Sequence, residues 1–328
     1  MTGSTKLGGI NLYTYQHGIY PRSEKVVAAT RGLDRGRNTQ AEVDDAVHAD
    51  QARWLQVQQT AGLDFLSDGL LGWQDIFRPL AETGGAKPHT LVRWFDTNTF
   101  FREPEFGSAP APLSQVPLLA ESNLDGGPSA PRASTFPSPY LFSRVAHTKL
   151  DRNELMLALA RSLLRPAIDG AIRGGSKLIH LEEPWLGYYG IGQKDWAPLR
   201  EALEILHRDL GATLVFHVYF GDAGPHLDQL RRLPVDAIGV DLTETDVGEL
   251  GSDWDKALVA GVVDGRQSQL ESLGSIVDVA QHLMQTVRPT ALYLTSNCEL
   301  AFLPTVVAER KVQRLGDAAK KLKELVSV

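Results

Sequence analysis

Cysteine is almost absent from this chain, since Cys298 is the one thiol in 328 residues. A disulfide between two of its own cysteines and paired-cysteine zinc or redox motifs are therefore excluded. Long hydrophobic runs are also missing, because no stretch approaches the roughly 18 apolar residues of a membrane helix. Basic charge is in deficit, with 33 Lys and Arg against 40 Asp and Glu and a net charge of −7. We therefore expect neither nucleic acid nor membrane among its partners. The N-terminus lacks a signal-peptide pattern, and we expect a cytoplasmic protein.

The composition is that of a globular protein, with 43% apolar and 22% charged residues. Short apolar segments alternate with amphipathic helical patterns, and each apolar segment ends at polar or acidic residues. The predicted strands cover about 8–15, 63–68, 134–141, 177–181, 213–216, 236–240, 257–263 and 291–294. Eight such strands predict an α/β fold, a closed (β/α)₈ TIM barrel, as a single domain over residues 1–328. No Gly-x-Gly-x-x-Gly follows a strand, which disfavours a dinucleotide-binding sheet. Residues 104–131, rich in Pro, Gly and Ser, are predicted to form a long loop over one face.

Polar side chains gather at the predicted strand ends, which in such a barrel build the active site. Imidazole, thiolate and carboxylate are the ligand types that zinc prefers. A single His or Cys at a strand end is more often structural than functional, so the prediction of a site depends on their coincidence. The strand-end residues are His17, Asp68, Glu182, Glu183, His217, Tyr219, Asp241, Asp264, Arg266 and Cys298.

Several segments resemble, in order along nearly the whole chain, the cobalamin-independent methionine synthases. One of them is Trp-Phe-Asp-Thr-Asn at 94–98, and another is Ile-His-Leu-Glu-Glu-Pro-Trp-Leu at 179–186. The remaining segments are 104–106, 218–222, 233–242, 261–266 and 295–300. The resemblance implies a barrel of the methionine synthase/UROD-like type. The long enzymes of this family contain two barrels and hold zinc in the second. This chain has the length of one barrel and is more similar to the first.

The resemblance also implies a degenerate zinc site. His217 matches the family's histidine ligand and Cys298 its last cysteine, whereas Asp241 replaces a glutamate and Tyr219 stands in place of the first cysteine. We therefore expect zinc, if retained, at His217, Asp241 and Cys298. Arg266 falls near the position of the family's proton-donating histidine, and we expect Asp264, Arg266 and Tyr219 to act in catalysis.

The expected substrate-binding residues form two groups. Glu182 matches the acidic position that holds the amino group of homocysteine, and His17, Asp68 and Glu183 lie at the same predicted mouth. The family's second acidic contact is Leu70 here, with Asp68 two residues earlier. Trp94, Asp96 and Asn98 combine an aromatic face with polar groups, so they could stack on a flat methyl donor such as a folate or simply pack at the barrel rim.

Three functions are compatible with these residues. The first is a methionine synthase-like methyltransferase acting on a small thiol such as homocysteine. The second is a zinc-dependent lyase or transferase of thiol adducts on the same barrel. The third is a non-catalytic barrel, equivalent to the first half of the long synthases, that works with a second methionine-synthase-like barrel.

Overall fold

The structure is a computed structural model that describes residues 5–7, 9–113 and 131–326. Its strands are β1 (Thr5–Leu7), β2 (Ile10–Thr14), β3 (Lys87–Arg93), β4 (Phe100–Phe106), β5 (Arg132–Pro137), β6 (His147–Thr148), β7 (Ser176–Glu183), β8 (Thr213–Val218), β9 (Ala237–Asp241), β10 (Ala257–Val263) and β11 (Ala291–Ser296). Its α-helices are α1 (Glu24–Asp34), α2 (Gln40–Ala61), α3 (Arg78–Thr83), α4 (Pro139–Val145), α5 (Arg152–Leu159), α6 (Arg165–Arg173), α7 (Pro184–Tyr189), α8 (Trp196–His207), α9 (Leu227–Leu230), α10 (Leu273–His282) and α11 (Thr305–Val326).

Seven parallel strands form most of a barrel, in the spatial order β2, β11, β10, β9, β8, β7 and β5. Residues 64–66 close it. Leu66 forms a parallel bridge with Arg132, and the N–H groups of Asp64 and Phe65 donate to the carbonyl of Thr14 at 3.0 and 3.2 Å. The predicted (β/α)₈ fold is therefore confirmed. An α-helix follows each of the seven strands except β9, after which the chain forms only a short 3₁₀ helix (Val247–Leu250) before β10.

The strand predicted at 63–68 is much shorter in the structure. The side chain of Gln58 on α2 accepts the N–H of Ser67 at 2.8 Å and donates to its carbonyl at 2.9 Å. Because one buried amide satisfies both backbone groups of Ser67, the chain leaves the sheet after Leu66. The strand predicted at 134–141 also ends early, at Pro137, because Ser138 caps the N-terminus of α4.

Residues 104–106 were predicted to begin a long loop, and that prediction is wrong. They belong to β4, which pairs antiparallel with β3 and parallel with β6. Pro104 is tolerated because it lies opposite Pro88, next to a shift in register, so both missing N–H groups fall at one irregular point of the ladder. The hairpin of β3 and β4 carries residues 94–99 at its tip. Residues 114–130 of the predicted loop lie outside the described residues.

The barrel interior is filled in layers. The layer away from the mouth is apolar and aromatic, and it includes Tyr15, Leu178 and Val215. Side chains alternate along a strand, so the positions two residues further on enter the same interior nearer the mouth. These positions are His17, His180 and His217, all buried. In the described part of the chain, no helix is long and apolar enough to cross a membrane.

Candidate active site at the barrel mouth

Three histidines lie against one another inside the barrel. The rings of His17 and His180 stack with centroids 3.9 Å apart and planes inclined by 12°. The hydroxyl of Tyr15 lies 2.8 Å from Nδ1 of His180, whose Nε2 is 3.3 Å from Nδ1 of His217. Burial lowers the pKa of all three, that of His17 to about 4, so the rings are neutral near pH 7. Sequence reasoning missed His180, although its position two residues before Glu182 on β7 places it on the same face.

Two carboxyl groups meet above these histidines. Tyr219 Oη lies 3.2 Å from Oε2 of Glu182 and 3.0 Å from Oε2 of Glu299, and His17 Nδ1 lies 3.0 Å from Oε1 of Glu182. Burial raises the pKa of Glu182 to about 7. Burial, and then the charge of Glu182, raises the pKa of Glu299 well above its ordinary range. The two carboxyls are also hydrogen-bonded to each other. This bond raises the pKa of Glu299 and lowers that of Glu182, so the carboxyls share a proton that stays on Glu299.

Glu299 was not among the predicted site residues. The signal was present, because Glu299 follows the last barrel strand by three residues and so lies at the end of the barrel where the strand-end side chains were expected to gather. It is buried, with 5% of its surface exposed.

The residues expected to hold zinc do not gather. Zinc ligands at bonds of about 2.0–2.3 Å lie within about 4 Å of one another. Among the described residues, the ligand atoms of His217, Asp241 and Cys298 form no group within 4.8 Å. Asp241 Oδ1 accepts the N–H and hydroxyl of Thr243 at 2.9 and 2.6 Å, so it holds its own turn.

Cys298 and Tyr219 are both buried, and each keeps its proton in the absence of a metal. A Cβ on Gly265 would lie 2.8 Å from the sulfur of Cys298, which is thus packed against that backbone. Burial, and then Glu299, raises the pKa of Cys298 well above its ordinary range, so the thiol keeps its proton. Burial likewise raises the pKa of Tyr219 well above its ordinary range. Among the described residues His217 Nε2 is buried without a hydrogen-bond partner, but Asp241 is engaged by Thr243 and the three expected ligand atoms do not come together, so these positions do not fit a zinc ion.

The three histidines do form a compact group, with ligand atoms within 4.8 Å of one another. Their geometry favours hydrogen bonding over coordination. His17 is engaged on both sides, by Glu182 and by the carbonyl of Ser296 at 3.2 Å. The lone pairs of His17 and His180 lie in two nearly parallel ring planes and do not converge on a common point.

Glu183 lies beside Glu182 in sequence but does not reach the mouth. Its Oε1 accepts the N–H of Leu186 at 2.8 Å, and its Oε2 accepts the N–H of Leu141 at 3.0 Å and the hydroxyl of Ser138. It therefore caps two helices, and the structure gives it a structural role. Asp68, half-buried, accepts the N–H of Leu70 at 3.0 Å and shapes the turn in which Leu70 has a φ of 48°.

The hairpin tip covers the mouth. Phe95, at a φ of 47°, packs against Tyr188 and Phe220, with ring centroids 5.3 and 5.5 Å apart. The exposed side chains of Asp96 and Asn98 line a cleft of about 520 Å³ together with Arg266.

Arg266 projects over the mouth from the loop after β10. Its guanidinium pairs with Glu244 and lies 5.3 Å from the ring centre of Phe220. Asp264 Oδ1 accepts the N–H of Arg266 at 2.8 Å, so it fixes the turn that presents the guanidinium.

A second cleft, of about 550 Å³, runs between the hairpin and the barrel. It is lined by Tyr20, Arg22, Asp75, Trp94 and Glu299, among others. Tyr20 Oη and Trp94 Nε1 are buried and have no hydrogen-bond partner among the described residues. Unpaired buried donors are costly, and these two belong to residues in the wall of the cleft.

The chain forms a parallel (β/α)₈ barrel. At the mouth, the interior of this barrel carries a pair of carboxyl groups and neutral histidines. The chain belongs to the cobalamin-independent synthase family, because the family model described as "Cobalamin-independent synthase, N-terminal domain" matches residues 81–288. The similarity to methionine synthases expected from the sequence is thereby confirmed.

Relatives of two lengths match the chain. A 5-methyltetrahydropteroyltriglutamate–homocysteine methyltransferase from Herpetosiphon aurantiacus is 29% identical over 239 residues, which are 68% of this chain and 30% of the relative. A methionine synthase from Sulfurisphaera tokodaii is 23% identical over 322 residues, which are 94% of this chain and 91% of the relative. The chain thus spans less than a third of the long relative and nearly all of the short one.

Solved structures share the fold. The B12-independent methionine synthase of Shewanella sp. W3-18-1, in complex with selenomethionine, superposes with a TM-score of 0.81 at 18% identity, covering 96% of this chain and 99% of that one. A putative vitamin-B12-independent methionine synthase from Listeria monocytogenes gives 0.73 at 14% identity, covering 94% and 97%.

Proposed function

We propose that the protein transfers a methyl group to the sulfur of a small amino-acid thiol such as homocysteine. The observation that carries the proposal is the buried pair of Glu182 and Glu299 around Tyr219, at the point where the barrel mouth meets the cleft beneath the hairpin. The choice of thiol and methyl donor comes from the names of the relatives. The acidic pair is the proposed binding place for the substrate's ammonium group.

The acidic pair suits a cation. Two buried carboxyls near each other hold a proton because both cannot ionise without a counter-charge. An ammonium group placed between Glu182 and Glu299 would supply that charge and displace the shared proton. The thiol end of the substrate would then point toward Cys298 and Arg266. Tyr219 would keep its hydroxyl on the carboxyls and fix their orientation.

The methyl donor is assigned to the cleft beneath the hairpin. Tyr20 and Trp94 line this cleft and carry two unpaired hydrogen-bond donors, which suit a flat ring with acceptor atoms. Arg22 lies on the same wall and would pair with an acidic tail. A methyltetrahydropteroyl compound has this chemistry, and the longer relative is named for it. Asp96, Asn98 and Arg266 border the adjoining cleft, where they would contact the outer part of the donor.

The transfer itself forms a sulfur–carbon bond and breaks the bond between the donor and its methyl group. The donor leaves with the electron pair, and the proton lost from the thiol balances its charge. Holding the two reactants at one mouth supplies rate through proximity and orientation. No step is assigned to zinc, because His217, Asp241 and Cys298 do not fit the ion in this structure.

The test is ligand binding by calorimetry, with homocysteine and with 4-mercaptobutanoate, which lacks the amino group. Glu299→Gln should weaken homocysteine binding by roughly tenfold or more, since hydrogen bonds to charged groups contribute about 1.5–3 kcal/mol. It should leave 4-mercaptobutanoate binding unchanged. The matched control is Glu324→Gln, which removes an exposed carboxylate paired with Lys321. Equal binding of the two ligands by the unaltered protein would contradict the assignment.

A methyl-transfer assay separates the other two hypotheses. Methylation of homocysteine by this chain alone supports the proposal. Cleavage of thiol adducts without methyl transfer would favour the lyase. Methyl transfer that needs an added second barrel would favour the partner role.

A further inference from the structure

A second group of metal-ligating side chains lies far along the hairpin from its tip. His89 on β3, Glu103 on β4 and His147 on β6 place one ligand atom each within 4.8 Å of one another. His89 Nδ1 lies 3.1 Å from Oε2 of Glu103, and the rings of His89 and His147 stack with centroids 3.9 Å apart. The three residues come from three neighbouring strands of one small sheet.

We propose that His89, Glu103 and His147 bind a divalent transition-metal ion, zinc in the first instance, which ties the hairpin to the barrel. Two imidazoles and one carboxylate form a ligand set that zinc binds with a water in the fourth position. The proposal does not depend on the methyl-transfer function, because these residues belong neither to the mouth nor to its clefts.

The side chains have room to coordinate. The side chains of His89 and Glu103 are 35% and 26% exposed, and His147 is exposed. Coordination requires the stacked rings to turn so that each directs a nitrogen at the ion. The buried histidines of the barrel are confined by their neighbours, whereas these two rings border solvent. His89 would exchange its contacts with Glu103 Oε2 and Thr90 Oγ1, at 3.1 and 3.0 Å, for contact with the ion. Among the described residues, the ring nitrogens of His147 have no hydrogen-bond partner, so its lone pair is available for a metal.

Because of where His89, Glu103 and His147 lie, a bound ion would affect the structure of the hairpin. The two-residue strand β6 directly follows α4, whose N-terminus is held by Glu183 beside the mouth. It pairs with β4 through two residue positions, Glu105 with His147 and Phe106 with Thr148. An ion shared by His89, Glu103 and His147 would reinforce this short pairing. The tip carrying Trp94 and Phe95 would then be held more firmly over the mouth.

The test is equilibrium dialysis of chelator-treated protein against zinc chloride, followed by metal analysis. The unaltered protein should retain one zinc equivalent more than His147→Asn, His89→Asn or Glu103→Gln. Zinc should also raise the Tm of the unaltered protein and not that of the variants, because a ligand bound to the folded state stabilises it. Hydrogen exchange in residues 87–106 should slow when zinc is added.

The matched control is His282→Asn, which removes an exposed histidine from the end of α10. It should keep the full zinc equivalent. Retention of that equivalent by both His89→Asn and His147→Asn would overturn the proposal. Equal loss in His282→Asn would also overturn it, since the ion would then be bound by surface histidines without a defined site. Circular dichroism of each variant confirms that lost zinc does not reflect lost fold.

Discussion

Glu182 and Glu299 come from opposite sides of the barrel and meet at one phenol. Glu182 ends β7, and Glu299 follows β11, which is four strands away in either direction around the closed ring of eight. Tyr219 joins them from the strand next to β7. Side chains from diametrically opposite strands can meet only near the barrel axis. The shared proton therefore lies at the centre of the candidate site.

Tyr219→Phe tests the bridge between these carboxyls. The ring should keep its packing, whereas both carboxyls lose the hydroxyl that orients them. We expect roughly tenfold weaker binding of homocysteine, in line with a hydrogen bond to a charged group. Calorimetry measures the change, and Tyr13→Phe, in the apolar layer of the barrel away from the mouth, is the control. Unaltered affinity in Tyr219→Phe would remove the phenol from substrate binding.

Glu183→Gln tests the cost of burying the second carboxyl. Burial raises the pKa of Glu183 to about 7 from its ordinary 4.5. A raised folded-state pKa stabilises the fold below the unfolded pKa, and this contribution is lost as pH rises through the folded pKa. The free energy of unfolding of the unaltered protein minus that of the variant should therefore fall by about 3 kcal/mol between pH 4.5 and 8.

Urea unfolding at a series of pH values measures this difference. Glu324→Gln, at an exposed site, should show no comparable trend. A difference for Glu183→Gln that rises with pH would mean that the group is ionised and stabilising in the folded protein.

Gly239→Ala tests the packing of the histidine layer. A Cβ at position 239 would lie 2.5 Å from Cγ of His217 on the neighbouring strand. That ring cannot move freely, because it contacts His180 and Tyr219. We expect a loss of about 1–3 kcal/mol in the free energy of unfolding, typical of overpacking a core.

Gly274→Ala is the matched glycine substitution. Position 274 lies in α10, where a Cβ would meet its nearest atom at 4.0 Å. Alanine there should be neutral or should stabilise the protein by up to about 1 kcal/mol. Chemical denaturation compares the two variants, and similar values for both would show that the His217 ring is free to shift.

Cys298 should react slowly with thiol reagents in the folded protein. It is buried and its raised pKa keeps the thiol protonated, whereas alkylation needs the thiolate. Iodoacetamide labelling at pH 8, followed by mass spectrometry, should be complete only after unfolding. Adding a chelator should not change the native rate. Labelling that accelerates with a chelator would indicate a metal on this sulfur and would reverse our conclusion about zinc.

Sequence reasoning succeeded where a pattern is local. The barrel strands after residue 150 are apolar runs that end at polar residues, and the structure has a strand at each. It failed where pairing depends on distant groups. The strand at 63–68 is cut short by Gln58, and β4 forms around Pro104 because Pro88 lies opposite. Neither partnership is visible in a single segment.

The residues at the mouth also divide into features that the sequence predicts and features that depend on distant groups. Alternation along β7 and β8 placed Glu182, His217 and Tyr219 in the barrel interior, so their approach was predictable from the strand period. The direction in which each functional group points could not be predicted from the strand period. Glu183 turned to cap two helices, Asp241 turned to bind Thr243, and Glu299 entered the centre from a loop.

By itself, the sequence determined the class of fold and the edge of the barrel where chemistry gathers, because burial and period act through neighbouring residues. Only the tertiary structure decided which polar atoms meet. A distance of a few ångströms between side chains from opposite strands depends on closure of the whole ring. For that reason only the structure revealed the pair of Glu182 and Glu299, and only the structure showed that the expected zinc ligands lie apart.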